Sequence, residues 1–222
     1  MKEQVGTSQK TFKVYQYNLP TDFVLNKVAL MVIDMQNDFI HPKGILGRQG
    51  FCVVDLGTFV KRVADLMNLF KANGLPVIAT RHIIRQNSQG HAIGGGLWVE
   101  MRPFLKVAGL RHGTWGAELI DGLPVPDYII GKHRFSAFYE TGLESLLRGL
   151  NTEVVVFSGV ATNICVESSI RDAFCMDFRI ISIENCMAAY TIQAHEASLL
   201  TLRFLGTVIS LNELIQLLTL AK

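Results

Sequence analysis

Six short runs rich in Val and Ile, apolar at consecutive positions rather than alternate ones, decide most of what this chain can fold into. They are KVALMVID (Lys27 to Asp34), PVIAT (Pro76 to Thr80), DYIIG (Asp127 to Gly131), EVVVFSG (Glu153 to Gly159), FRIISI (Phe178 to Ile183) and GTVIS (Gly206 to Ser210). A strand that is apolar on both faces needs cover on both, which parallel sheets obtain from helices. Segments of helical period lie between the runs. Val54 to Ala72 places Leu56, Phe59, Val60, Val63, Leu66, Met67 and Phe70 on one stripe, and Asn73-Gly74 stops it. Gly142 to Leu150, Thr162 to Met176, Thr191 to Phe204 and Leu211 to Leu218 are the other helical segments. The alternation predicts an α/β fold: a doubly wound, six-stranded parallel sheet with helices on both faces. No repeat or linker interrupts the 222 residues, which read as one domain, 1–222.

Composition narrows the function classes. The chain is 49% hydrophobic and 18% charged with a formal charge of +2, and no basic cluster is long enough to track a phosphate backbone, so nucleic acid is not an expected partner. The N-terminal stretch MKEQVGTSQKTFKVYQYN has no apolar core and does not read as a secretory signal. No run approaches the roughly 20 apolar residues of a membrane span, and a cytoplasmic protein is expected. Cys52, Cys165, Cys175 and Cys186 are widely spaced without a C-x-x-C pair, as befits free thiols.

Between the second and third runs the chain spends about 45 residues, where a handful plus one helix is usual. This stretch, roughly 83–126, holds three consecutive glycines and both tryptophans, and is expected to form a lid or pocket wall unless it is only a surface insertion.

Ligands of open α/β sheets bind at the carboxyl ends of the strands. There the first run ends in Asp34, the third leads into Lys132, and the fourth leads through Ser158-Gly159 into VATNICVE, which holds Cys165. Taken singly, each has an ordinary explanation: a loop-capping aspartate, a solvated lysine, a core thiol. Together they bring a carboxylate, an ammonium and a thiol to one rim. With Thr162 or Asn163 as N-cap, Cys165 falls in a first helical turn, where free N–H groups and the helix dipole favour a thiolate and can hold an oxyanion. The serine elbow G-x-S-x-G, the dinucleotide fingerprint and the P-loop are all absent, so no cofactor is expected.

These runs resemble the isochorismatase-like cysteine hydrolases, a family that includes nicotinamidases and ureidoacrylate and N-carbamoylsarcosine amidohydrolases. The resemblance spans VALMVIDMQNDF (Val28 to Phe39), GKHRFSAFYET (Gly131 to Thr141) and SGVATNICVESSIRDAF (Ser158 to Phe174). It implies Asp34, Lys132 and Cys165 as the catalytic triad, and Val160 and Ala161 as the dipeptide that is cis in the family. The N–H groups of Ala161 and Cys165 would then form the oxyanion hole. It also implies the six-stranded fold already inferred. The last motif is closer to ureide-cleaving members, so the expected activity is hydrolysis of a C–N bond in a small amide or N-carbamoyl-type ureide through a thioester. Enol-ether hydrolysis, nicotinamidase-like action and a catalytically silent binding protein are the alternatives, together with a redox role for Cys165 in which Cys186 approaches it. The Asp-x-His metal pair of nicotinamidases is here Thr80-Arg81-His82, so no metal is expected. Substrate-contacting candidates are Gln36 for an amide, Arg81 for a substrate carboxylate, His82, and the aromatic residues Phe39, Trp115, Phe135 and Phe138, each of which also fits a core position. A homo-oligomer is expected, as in the family, with the apolar C-terminal segment either at an interface or covering the sheet.

Overall fold

The structure is a computed structural model that describes residues 27–220; the N-terminal stretch read above as lacking a secretory signal lies outside the described residues. Six parallel strands form the sheet: β1 (Val28–Ile33), β2 (Val77–His82), β5 (Tyr128–Lys132), β6 (Val154–Val160), β7 (Arg179–Ala188) and β8 (Thr207–Ile209). Their spatial order is β5-β2-β1-β6-β7-β8. The chain winds outward one way from β1 and then the other way from β6, so strand order reverses between those two.

Side-chain alternation on β1 shows why both faces had to be apolar. Val28, Leu30 and Val32 enter one core and Ala29, Met31 and Ile33 the other, all essentially without solvent contact. The first core is covered by α2 (Leu56–Ala72) through Phe59, Val63, Leu66, Met67 and Phe70. It is also covered by α7 (Leu211–Leu220) through Leu211, Leu214 and Leu218. The C-terminal segment thus lies on the sheet, while Ile215 and Leu217 face outward. The second core is closed by α4 (Leu143–Gly149), α5 (Glu167–Cys175) and α6 (Ile192–Leu205). Thr191 caps α6 by accepting from the Ala194 N–H at 3.2 Å.

Most boundaries agree with the sequence reading to within two residues, and three of the differences are informative. The second helix starts at Leu56, because Asp55 takes a left-handed backbone (φ 49°) and Val54 is solvent-exposed. β7 continues to Ala188, five residues beyond the expected Ile183, which carries the chain along the rim toward Tyr190. The helix expected from Thr162 to Met176 is divided: Thr162–Val166 is π-helical and only Glu167 onward is α5. The long segment folds as a small hairpin, β3 (Arg85–Gln86) with β4 (Ala92–Ile93), then a short helix α3 (Gly96–Glu100) and turns. The helix α1 (Asn37–Ile40) follows β1 directly.

At Gly159 the register of β6 against β7 shifts and φ is +106°. A Cβ there would lie 2.1 Å from the Ile33 carbonyl oxygen, so only glycine lets β6 close onto the end of β1. Gly159→Ala should therefore destabilise the fold by about 3 kcal/mol or more, read from the urea midpoint; a change below about 0.5 kcal/mol would refute this account of the bulge.

Candidate active site

Three strand ends bring Asp34, Lys132 and Cys165 together. Asp34 follows β1 in a left-handed conformation (φ 49°), which aspartate tolerates better than most residues. The neighbouring β2 anchors it: its N–H donates to Thr80 Oγ1 at 3.0 Å, and Thr80 Oγ1 donates back to Asp34 Oδ1 at 2.6 Å. Lys132 ends β5, two strands away from β1, and reaches past β2 so that Nζ lies 2.6 Å from Asp34 Oδ2. Both side chains are fully buried. The ammonium also donates to the Arg134 carbonyl at 3.0 Å and lies 3.4 Å from His82 Nδ1. Apart from its ionic contact, Oδ2 has no hydrogen-bond partner among the described residues, which leaves it able to receive a proton.

Cys165 comes from the π-helical turn after β6, beyond the cis peptide bond Val160–Ala161. Its thiol and ligand atoms of Asp34 and His82 all lie within 4.8 Å of one another. The turn is held from below by Ser169, whose hydroxyl donates to the Cys165 carbonyl at 2.6 Å and accepts from the Ala137 N–H. Neither Thr162 nor Asn163 is the N-cap: Ala161 takes that place without a side-chain bond, and Thr162 Oγ1 pairs with His195 Nδ1 at 2.8 Å.

The electrostatics follow from burial. Burial pushes the Cys165 thiol well up, with Lys132 opposing and Asp34 adding to the rise, so sulfur is a protonated thiol until a base takes its proton. This reverses the expectation of a thiolate favoured by the helix end. Burial works against the Lys132 charge, yet the Asp34 carboxylate beside it outweighs that and holds the lysine above its ordinary value. Burial, then Lys132, His133 and Arg134, hold His82 well below the ordinary histidine value, so it is neutral at pH 7. Asp34, His82 and Cys165 would be the donors for a metal ion, but the Lys132 ammonium stands among them at 2.6 and 3.4 Å. A cation there would face that charge directly, and the set does not fit a divalent ion.

In front of the thiol lies a small cavity of about 50 Å³ that opens to solvent. Cys165, Ala161 and Ile164 form its base, and Phe39, Leu46, Phe51, Trp98, Phe135 and Tyr190 its walls, with Arg102 at the side. Of the expected contact residues, Phe39 and Phe135 line it and the others do not. Gln36 is consumed by the backbone: its amide donates to the His82 and Ala117 carbonyls and accepts from the His82 N–H. Arg81 is paired with Glu118 at 2.6 Å and is not free to hold a substrate carboxylate. Trp115 is half exposed and meets His41 edge-on. Phe138 is buried against Phe178 in the second core. His82 lies behind the wall, with its ring 4.8 Å from Trp98, and opens onto an adjoining cleft. Cys186 packs in the first core against the Arg62 carbonyl, whereas Cys165 belongs to the second, so it is not placed to resolve an oxidised Cys165.

Sequence reasoning missed Trp98, Arg102, Leu46, Phe51 and Tyr190. A signal existed for two of them. In GLWVEMR, Trp98 and Arg102 are four residues apart, the spacing of neighbours on a helix face; α3 ends at Glu100, yet the guanidinium carbon still lies 5.8 Å from the ring centre.

A model of the isochorismatase domain matches residues 28–213. The chain is 33% identical over 192 residues to a ureidoacrylate amidohydrolase, RutB, of Methylobacterium radiotolerans, covering 81% of this chain and 74% of that one. Among solved structures it resembles an isochorismatase family protein from Desulfovibrio vulgaris, with a TM-score of 0.74, 26% identity and coverage of 87% and 98%. It also resembles the N-carbamoylsarcosine amidase of Thermoplasma acidophilum, with a TM-score of 0.66, 28% identity and coverage of 83% and 96%. The chain belongs to the isochorismatase family and is a hydrolase.

Lys132→Met should cost about 3–5 kcal/mol of stability by leaving Asp34 buried without its countercharge. The double variant with Asp34→Asn should regain part of that in urea titrations; an additive further loss would refute the pairing. His82 gives a second test. Its folded-state affinity for a proton is depressed, so as pH falls below the unfolded value of about 6.5 the unfolded chain gains a proton that the folded chain refuses. Stability should fall with acidification by up to about 1.4 kcal/mol per pH unit from this group. His82→Gln should flatten the curve between pH 6.5 and 5; an unchanged slope would refute it.

Proposed function

We propose that the protein is a cysteine hydrolase that cleaves the C–N bond of a small amide or N-carbamoyl-type ureide. The observation that carries this reading is the convergence of Asp34, Lys132 and Cys165 from three strand ends, buried together, with Cys165 at the base of an apolar cavity. The names of its relatives, a ureidoacrylate amidohydrolase and an N-carbamoylsarcosine amidase, support it.

In the first half of the reaction Asp34 takes the thiol proton as sulfur bonds to the substrate carbonyl carbon. The need for a base in contact follows from the raised thiol, since in this pocket a free thiolate is disfavoured. Lys132 remains charged and offsets the negative charge as it moves from carboxylate to sulfur and then to the carbonyl oxygen. The backbone N–H groups of Ala161 and Cys165, on the turn that the cis bond shapes, are the proposed donors to that oxygen. When the tetrahedral adduct collapses, the C–N bond breaks and the Asp34 proton passes to the departing nitrogen, releasing ammonia or an amine. The enzyme then carries a thioester, or a thiocarbamate when the substrate is a ureide. In the second half Asp34 takes a proton from water and the hydroxyl adds to the same carbon. The C–S bond breaks and the proton returns to sulfur. Atoms and charge balance over the cycle with one water consumed.

Ammonia or amine release from nicotinamide, N-carbamoyl amino acids, ureidoacrylate-like acids and biuret tests the proposal. Wild type should release nitrogen from at least one, with Cys165→Ala reduced on the order of 10³-fold or more. Equal release by both proteins, or none by wild type across the panel, would overturn the reading.

A further inference from the structure

The reaction cavity holds one charge without a counterpart. Lys132 is matched by Asp34 at 2.6 Å. Nearby arginines are also engaged: Arg81 by Glu118, Arg111 by the Leu105 and Gly109 carbonyls, and Arg134 by the Gly94 and His133 carbonyls. Arg102 lines the cavity, half-buried, yet pairs with no carboxylate among the described residues. Its guanidinium is instead laid 5.8 Å from the centre of the Trp98 ring. Trp98 in turn packs against Phe39 and Phe135, so the cation is held on a stiff aromatic wall.

The rest of the wall offers little else for a polar ligand. Phe39, Leu46, Phe51 and Phe135 are apolar, and the Tyr190 hydroxyl donates to the Phe39 carbonyl at 3.2 Å. Lys132 is already faced by Asp34, so among the residues lining the cavity Arg102 is the cation with no carboxylate partner among the described residues. A guanidinium partly withdrawn from water favours an anion, and its planar fork matches a carboxylate with two parallel hydrogen bonds. The contact with Trp98 keeps the guanidinium beside the cavity wall.

We propose that Arg102 is the specificity-determining residue of this cavity, binding the carboxylate of a small ureido or amido acid whose scissile carbonyl meets Cys165. The substrates are then acids rather than neutral amides or ureides. The inference rests on the hydrolase reading above for its scissile carbonyl, but the anion preference can be measured without turnover.

The test is calorimetric binding to the Cys165→Ala protein of N-carbamoylglycine, 3-ureidopropionate and 3-ureidoacrylate, each against its methyl ester. At least one acid should bind roughly 10- to 100-fold more tightly than its ester. Adding Arg102→Met should abolish that ratio, and Arg102→Lys should retain part of it. Equal binding of acid and ester, no measurable binding of any acid, or Arg102→Met weakening acid and ester alike would each overturn the proposal; the last would assign Arg102 to propping Trp98. Because nothing is turned over, this preference and the hydrolysis of C–N bonds succeed or fail separately: nitrogen release without acid preference sinks only Arg102, and acid preference without nitrogen release sinks only the hydrolase.

Discussion

A carboxylate and an ammonium 2.6 Å apart, both sealed from solvent, constrain everything at the carboxyl edge of the sheet. Two such charges are expensive to bury and hold only when the geometry is good and the remaining lone pairs and protons find partners. Here Thr80 satisfies one oxygen of Asp34, and the Arg134 carbonyl takes a proton of Lys132. The sheet order makes this possible. β5 lies two strands from β1, so the lysine must cross β2, and the short threonine at that strand's end bonds the aspartate without filling the gap. The pair in turn sets the state of the thiol beside it, pulling in opposite directions on a group that burial has already made reluctant to ionise.

Much of the fold was legible because parallel strands write a coarse signal. Six consecutive apolar runs correspond to the six strands, and the stripe from Phe59 to Phe70 corresponds to a helix face buried in the first core. What escaped were features set by contacts across the chain. The extension of β7 to Ala188 and the π-helical turn at Thr162 depend on pairing with β6 and on packing under α6, neither of which leaves a local mark.

The site divides the same way. That Asp34, Lys132 and Cys165 meet in space was legible because strand ends are fixed points in this architecture. Residues expected to touch substrate were chosen by residue type, and type does not say which way a side chain faces. Trp115 and Trp98 lie in the same segment, yet one turns to solvent against His41 and the other builds the cavity wall. Gln36 sits beside the triad in sequence, but its amide bonds the backbone on either side of it like one more strand. Arg81 is paired with Glu118 and lies outside the cavity lining, whereas Arg102 is part of it.

The cavity is assembled from the loops that follow four strands and from one stretch outside the main sheet. Its base is the sheet and the turn after β6, while Trp98 and Arg102 come from a stretch that gives no strand to the six-stranded sheet. Asp38 fastens that stretch from below, accepting from the Ile45 and Leu110 N–H groups at 2.8 and 2.6 Å. It lies so close beneath Gly116 that any Cβ there would strike its carboxylate. The consequence is modular: Trp98 and Arg102 reach the cavity from a stretch fastened at several points, so its wall can be altered residue by residue while the thiol and the ion pair beneath stay where the sheet puts them.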